Sequence, residues 1–265
     1  MSIIELKNIV FNYDSKNSNN SFQLNIPDWK VEKGSFFSVI GPNGCGKSTL
    51  LKLIAGINNP KQGDVLVEGK HIDDIPHKEF AKVISYVPQS TMTIFPFSVY
   101  EIVMMGRTPY MNMMGFEKDE DRRLVNEALD LMKLNDLRKK GINEISGGEA
   151  QRVFIARSIA QQADIILLDE PSSHLDLHHQ LKIFDMLLEL CEQKSLTIIA
   201  VSHDLNLVGI YSKEIIFMND GTIAIDGDKR SIFTKENIKK IFAVDAEVKF
   251  SDKNNNANVY INPQS

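Results

Sequence analysis

Residues Gly41–Thr49 read GPNGCGKST, which fits the spacing G-x-x-x-x-G-K-[ST]. Each residue type suits one part of holding an anion. Gly41, Gly44 and Gly46 permit tight turns and a close backbone approach that side chains would block. Together with Pro42, Asn43 and Cys45 they make a loop whose successive N–H groups converge at a helix start, where the helix dipole also favours negative charge. Lys47 adds a point charge for the outer phosphates, Ser48 closes the motif and offers a hydroxyl to Mg²⁺, and Thr49 follows it. The chemistry these residues point to is the binding of a nucleotide polyphosphate.

Three other stretches carry chemistry of the same kind. The apolar run Ile165–Leu168 delivers Asp169 and Glu170 at its C-terminal end, where open parallel sheets bind their ligands. Asp169 suits Mg²⁺ held through water, and Glu170 suits a group that orients an attacking water or accepts its proton. Ser202–His203–Asp204 follows a second apolar run, Thr197–Val201, and His203 is expected beside those carboxylates as a γ-phosphate contact. Ser146–Gly147–Gly148–Glu149 opens the helical run Ala150–Gln161. It reads as a capping box, S-x-x-E, and also as a glycine-flanked helix start able to bind a phosphate, and both can hold together. In the capping box the Glu149 carboxylate folds back onto the cap. Cys45, at a helix start, is expected to favour its thiolate, although the position also tolerates many side chains.

These groups need elements to hold them. Ser35–Ile40 reads as the buried strand before the phosphate loop and Leu50–Ala55 as the helix after it. Glu5–Tyr13 and the alternating Phe22, Leu24 and Ile26 predict an antiparallel hairpin across the polar turn Asp14–Asn20. Val65–Glu68 and Val83–Val87 are further strands. From Ser98 to about Ala160 the pattern turns helical, as in Lys118–Lys133, and a helix is again expected over His178–Gln193. Ile215–Met218 and Thr222–Asp226 flank a hairpin turn at Asn219–Gly221. The polar run Asp252–Asn256 is either a turn between two weak strands or a frayed end. Strands alternating with helices on both sides of a helical insert predict a parallel α/β core with a helical subdomain.

Bulk properties bound the remaining choices. With 265 residues, 43% hydrophobic and 25% charged, the chain is ample for one or two domains. A net charge of −5 gives no electrostatic footprint for nucleic acid. No apolar run approaches the roughly 20 residues that span a bilayer, and MSIIELKN lacks the apolar stretch of a signal peptide, so a cytoplasmic protein is expected. Two cysteines, Cys45 and Cys191, suggest neither a disulfide framework nor a metal site.

ISGGEAQRV, lying between the phosphate loop and IILLDEP, resembles the signature of ATP-binding cassette proteins, and the cassette pattern covers nearly the whole chain. The resemblance implies an α/β phosphate-loop NTPase core, a mostly parallel sheet with an N-terminal antiparallel β subdomain, plus an inserted helical signature subdomain. The ATPase domain would span residues 1–240, with the core in 1–95 and 160–240, the helical subdomain in about 96–159, and a short tail in 241–265. It further implies that Tyr13 stacks on adenine and that Gln89, in YVPQS, links Mg²⁺ to transport subunits. Ser146, Gly147, Gly148 and Glu149 match the signature, Ser173, His174, Leu175 and Asp176 the loop at a dimer seam, and His203 the switch histidine. Two copies would pack head to tail around two ATP molecules, each phosphate loop facing the other chain's Ser146 and Gly148. Two departures stand out: Glu149 where many cassettes have Gln, and Ser172 and Ser173 where Thr and Thr or Asn are frequent.

FSVYEIVMMGRTPY at Phe97–Tyr110 and IFAVDAEV at Ile241–Val248 are similar to segments of importers for iron–siderophore complexes, haem and cobalamin. That implies an ATPase subunit using ATP and Mg²⁺ at the cytoplasmic face of the inner membrane. Its partners would be integral-membrane permease subunits and, through them, a substrate-binding protein. An exporter ATPase, or a soluble cassette of translation or DNA repair, is the alternative. Met104, Met105, Met111, Met113 and Met114 cluster in the first of these segments. They would line a groove for a permease helix or, equally, fill the core.

Overall fold

The computed structural model describes residues 2–13, 22–89, 95–112, 116–172, 175–251 and 255–262, all but the Lys194 side chain. In chain order the first elements are β1 (Ser2–Asn12), β2 (Gln23–Glu32), β3 (Phe36–Ile40), α1 (Lys47–Ile54), β4 (Gln62–Val67) and β5 (Lys70–His71). Then come α2 (His77–Val83), β6 (Ile84–Val87), α3 (Val99–Met105), α4 (Asp119–Leu131), α5 (Gly147–Ala160), β7 (Ile165–Asp169) and α6 (Leu177–Lys194). The chain ends with β8 (Thr197–Val201), α7 (Leu205–Tyr211), β9 (Glu214–Asn219), β10 (Thr222–Asp228), α8 (Lys229–Ile232), α9 (Lys235–Phe242), β11 (Ala246–Phe250) and β12 (Ala257–Ile261). These elements form two compact units, residues 1–75 with 181–265, and residues 76–180. Among the described residues no helix is long and apolar enough to cross a membrane.

The first unit holds the phosphate loop between two kinds of sheet. β1 pairs antiparallel with β2 and with β4, setting Leu6 opposite Trp29 and Ile9 opposite Ile26. Alternate residues of β2, Leu24, Ile26, Trp29 and Val31, are buried, as expected for a strand with one face on a core. The predicted hairpin is therefore present, with its turn outside the described residues. β3 lies parallel between β8 and β9, and every residue of β3 and β8 is buried. That is why both read in the sequence as nearly continuous apolar runs, with Ser38 and Thr197 as their buried polar members. β9 and β10 form the expected hairpin. Asp220 and Gly221 both take positive φ, 44° and 76°, the pattern of a two-residue turn whose twist matches the strands. Gly221 N–H donates to the Cys45 carbonyl at 3.1 Å, and Asn25 N–H donates to the Gly221 carbonyl at 2.7 Å. The hairpin tip thereby ties the phosphate loop to β2.

The C-terminal stretch resolves the choice at residues 252–256. β11 and β12 pair antiparallel, Val248 opposite Val259, so the polar run joins two strands. Ala246, Ala257 and Val259 are buried in one cluster with Val208, Phe217, Ile238 and Ile241.

In the second unit β6 and β7 pair in parallel, Ile84 opposite Ile165 and Val87 opposite Leu168. α3, α4 and α5 bury Val99, Val103, Val125, Leu129, Val153 and Ile155. The predicted helix over Lys118–Lys133 is α4, with Lys118 at its N-cap. One buried ion pair fastens this helical part. Arg107 Nε donates to Asp121 Oδ1 at 2.9 Å and an Arg107 terminal nitrogen donates to the Ala160 carbonyl at 2.8 Å, with side-chain exposures of 4% and 2% for the pair. The guanidinium lies 3.9 Å from the Tyr110 ring centroid. Burial alone would raise the Asp121 carboxyl. The hydrogen bonds from Arg107 and the Lys118 N–H outweigh it and hold the group below its ordinary range.

Removing the charge of Asp121 leaves a buried guanidinium uncompensated, so Asp121→Asn should lower unfolding stability by about 3–5 kcal/mol at neutral pH. Because the folded carboxyl titrates below its unfolded value, its contribution is present above the unfolded value and is lost as pH falls through the folded one. Urea titrations of both proteins across acid pH should therefore converge. A gap that persisted unchanged in acid would refute the ionic account.

Candidate functional site

The phosphate loop is shaped before any phosphate chemistry is invoked. Gly46 caps α1 with φ 107°, and a Cβ there would come within 2.7 Å of Leu24 Cδ1 and 2.8 Å of Phe22 Cζ. The backbone angle therefore favours glycine, and a side chain would also push the ends of Leu24 and Phe22 aside. Gly44, at φ 79°, makes the preceding left-handed step. Successive N–H groups of such a turn point to one side and form an anion cradle. Lys47 is buried, and its Nζ donates to the carbonyls of Gly41 at 2.9 Å and Pro42 at 3.0 Å. The ammonium is thus held over its own loop. A concave backbone with a tethered cation fits a polyphosphate.

Tyr13 stands beside this loop, about half exposed. Its hydroxyl is 3.2 Å from Thr49 Oγ1 and accepts from Asn58 Nδ2 at 3.4 Å, and its ring meets Phe11 edge-on at 4.9 Å. In the same unit Ser202 and Asp204 bracket His203. Ser202 N–H donates to the Val39 carbonyl at 3.2 Å, and Ser202 Oγ accepts from Asp204 N–H at 3.1 Å. Asp204 then caps α7, accepting from Asn206 N–H at 2.8 Å and Leu207 N–H at 3.1 Å. His203 opens onto a cleft of about 380 Å³ lined also by Asn206, Val259 and Ile261.

The second unit brings the carboxylate pair together with Gln89. Gln89 Nε2 donates to Glu170 Oε2 at 2.6 Å. Asp169, buried at the end of β7, accepts from the Tyr86 hydroxyl at 3.1 Å through Oδ2. Glu170 takes φ 51°, a left-handed angle that costs a side-chain-bearing residue about 1–2 kcal/mol. Asp169 and Glu170 then meet different partners, Tyr86 and Gln89. Tyr86 escapes the sequence reading, since nothing in YVPQS marks its hydroxyl as a partner of a carboxylate 83 positions away.

The same unit holds the start of α5. Ser146 Oγ accepts from Glu149 N–H at 3.3 Å, while Glu149 Oε2 accepts from Ser146 N–H at 2.8 Å and from Ser146 Oγ at 2.9 Å. The Glu149 carboxylate does fold onto the cap. The Ser146 backbone donor and then its hydroxyl hold this carboxyl below its ordinary range, so it stays ionised. Ser146, Gly147, Gly148 and Glu149 line a cleft of about 320 Å³ with Leu175 and Asp176. Asp176 is fixed by His179, whose N–H and Nδ1 lie 2.9 Å and 2.8 Å from Asp176 Oδ1. His179 is a further residue the sequence reading missed, although an Asp with a residue three positions on at a helix start is a capping signal. Ser173 and His174, and likewise Met113 and Met114, lie outside the described residues. Of the other methionines Met104 is buried, Met105 is exposed and Met111 is half-buried.

Cys45 departs from expectation. Its helix-start position predicts a favoured thiolate, but the side chain is only 4% exposed. Burial raises the thiol above its ordinary value, outweighing the opposing charge of Lys47. A thiol-reactive maleimide should label Cys45 more slowly in the folded chain than in denaturant, and the folded rate should climb as pH rises past the ordinary thiol range. Fast labelling of the folded chain at neutral pH would overturn the burial account.

A sequence profile described as ABC transporter matches residues 24–173, more than half of the chain. The iron(3+)-hydroxamate import ATP-binding protein FhuC of Bacillus subtilis is 38% identical over 225 residues, covering 85% of this chain and 82% of FhuC. Among solved structures, a transporter of metal-chelate type in an inward-facing conformation superposes with a TM-score of 0.84 at 30% identity, covering 100% of this chain and 98% of that one. A dimeric ATP-binding cassette, MJ0796, bound to ADP and phosphate superposes at 0.73 with 28% identity, covering 86% and 99%. With the family profile, a 38% identical relative and a shared fold in agreement, the chain belongs to the ABC transporter family as an ATP-binding subunit.

Proposed function

We propose that this chain is the ATP-hydrolysing subunit of a membrane importer for iron–siderophore complexes, with haem and cobalamin as related cargo. The observation that carries the reading is that one chain presents two separate glycine-bearing helix starts, at Gly46 and at Ser146. One anion needs one such start. Two on one chain suit a head-to-tail pair of copies, in which each ATP meets the phosphate loop of one and Ser146 and Gly148 of the other. The similarity to FhuC supports import of an iron chelate.

In this reading the backbone of residues 41–49 and Lys47 hold the β- and γ-phosphates, and Tyr13 stacks on adenine. Ser48, Asp169 and Gln89 are the residues that would hold Mg²⁺. The buried Asp169 carboxylate, oriented by Tyr86, is a hard oxygen donor of the type this ion prefers. Bound there, the ion would neutralise charge on the phosphoryl oxygens. Glu170 orients the attacking water and takes its proton, and the Gln89 donor holds that carboxylate in place. His203 contacts the γ-phosphate. Ser173, His174, Leu175 and Asp176 line the seam between copies. The permease docks on the helical part, where Phe95, Phe97, Met105 and Phe116 are exposed. The chain then works at the cytoplasmic face of the inner membrane, reaching a substrate-binding protein only through the permease.

Glu170→Gln should leave ATP binding intact and slow turnover by about 10²-fold or more, measured as phosphate release against bound nucleotide. Near-normal turnover in that variant would remove Glu170 from its role. The transport reading is tested by isolating the tagged chain from membranes. A many-helix permease and a substrate-binding protein should accompany it, and recovery with ribosomes or DNA would refute import.

A further inference from the structure

We infer that the C-terminal hairpin β11–β12 is a positioning element for His203, and that Asn206 is the residue through which it acts. The inference rests on the reading of His203 as the γ-phosphate contact. The Asn206 side-chain oxygen accepts from the Val259 backbone N–H at 2.7 Å, joining the first turn of α7 to the middle of β12. That turn begins at Asp204, whose carboxylate caps it through Asn206 N–H and Leu207 N–H. His203 sits between this cap and Ser202, which is bonded to β3. A shift of Asn206 therefore moves the cap and, with it, the histidine.

The contact is built along the whole helix. A Cβ on Gly209 would overlap the Ala257 carbonyl oxygen, so α7 and β12 touch backbone to backbone at a position only glycine permits. At the other end of α7 the buried Lys229 donates from Nζ to the carbonyls of Gly209 at 2.8 Å and Ile210 at 3.3 Å. A cation at a helix C-terminus is where the dipole favours it. The two ends of α7 are thus held by segments that follow it in the chain, and β12 also buries Ala257 and Val259 in the core cluster shared with Val208 of α7. The residues that line the His203 cleft come from both sides of this contact, Asn206 from the helix and Val259 and Ile261 from β12. In function the hairpin fixes the geometry of hydrolysis and leaves nucleotide binding to the phosphate loop.

The test uses the full chain with Asn206→Ala, Asn206→Asp and His203→Ala. Losing one hydrogen bond to the helix start should lower kcat for ATP hydrolysis about three- to tenfold in Asn206→Ala. KM for ATP should stay within about twofold, because the groups that bind ATP are untouched. Asn206→Asp retains an oxygen acceptor for the Val259 N–H and should recover most of the rate. Amide hydrogen exchange should speed at Asn206 and Leu207 in Asn206→Ala and remain unchanged in α1. The inference falls if Asn206→Ala keeps its full kcat while His203→Ala loses it, which would leave the reading of His203 standing. It also falls if kcat, KM and melting temperature change together without rescue by Asn206→Asp. Full hydrolysis in His203→Ala would overturn both the histidine's role and the positioning built on it.

Discussion

In the phosphate loop, backbone N–H groups converge where the chain enters a helix through left-handed backbone, and this constraint governs the protein. Gly46 meets it with φ 107°, in close contact with the ends of Leu24 and Phe22. Everything around the loop serves to keep that entry in place. β3 brings the chain in as a fully buried strand, α1 carries it away, and the Gly221 turn bonds the Cys45 carbonyl from the side. β2 enters the same arrangement through Asn25 and Leu24, so the antiparallel sheet is a wall of the loop as well as a layer of the fold.

The glycine-bearing start of α5 is built by a different route. There the entry is capped by Ser146, with extended backbone at φ −68° and ψ 159°, and Glu149 closes the capping box. The box uses the Ser146 donors and the carboxylate on each other, and Gly147 and Gly148 line the adjoining cleft. The Glu149 charge is thus spent on local donors at the cap. The same economy appears at Asp176, whose carboxylate is tied to His179 and held below its ordinary range first by the His179 backbone donor.

Legibility in the sequence followed the range of the cause. The phosphate loop, the buried strands β3, β7 and β8, and the Asp220–Gly221 turn are set by local backbone demands, which leave glycines and apolar runs at fixed spacings. The capping box at Ser146 is equally local. Pairings between distant segments left no such trace. Tyr86 with Asp169, Arg107 with Asp121 and Ala160, and Lys229 with the end of α7 each join residues whose spacing carries no period. Cys45 shows the two scales in conflict. Its local setting at a helix start argues for a thiolate, and its burial, a property of the assembled fold, decides against one.

Lys47 shows what preparation of the loop does to binding energy. Its ammonium already has two carbonyl acceptors, from Gly41 and Pro42, at hydrogen-bond distance in a buried setting. Engaging a phosphate exchanges neutral acceptors for a charged one, and the gain is the difference between them, well below the full attraction of two bare charges. The same bonds hold the side chain over the loop, so little rotamer freedom remains to be lost when the anion arrives. Affinity then depends less on Lys47 as a charge than on the backbone that already holds it. That backbone includes the Pro42 carbonyl, which also accepts from Cys45 N–H at 3.3 Å. A change in the loop's turn would reach the lysine and the nest of N–H groups at once, which makes the loop a single cooperative unit and not a row of separate contacts.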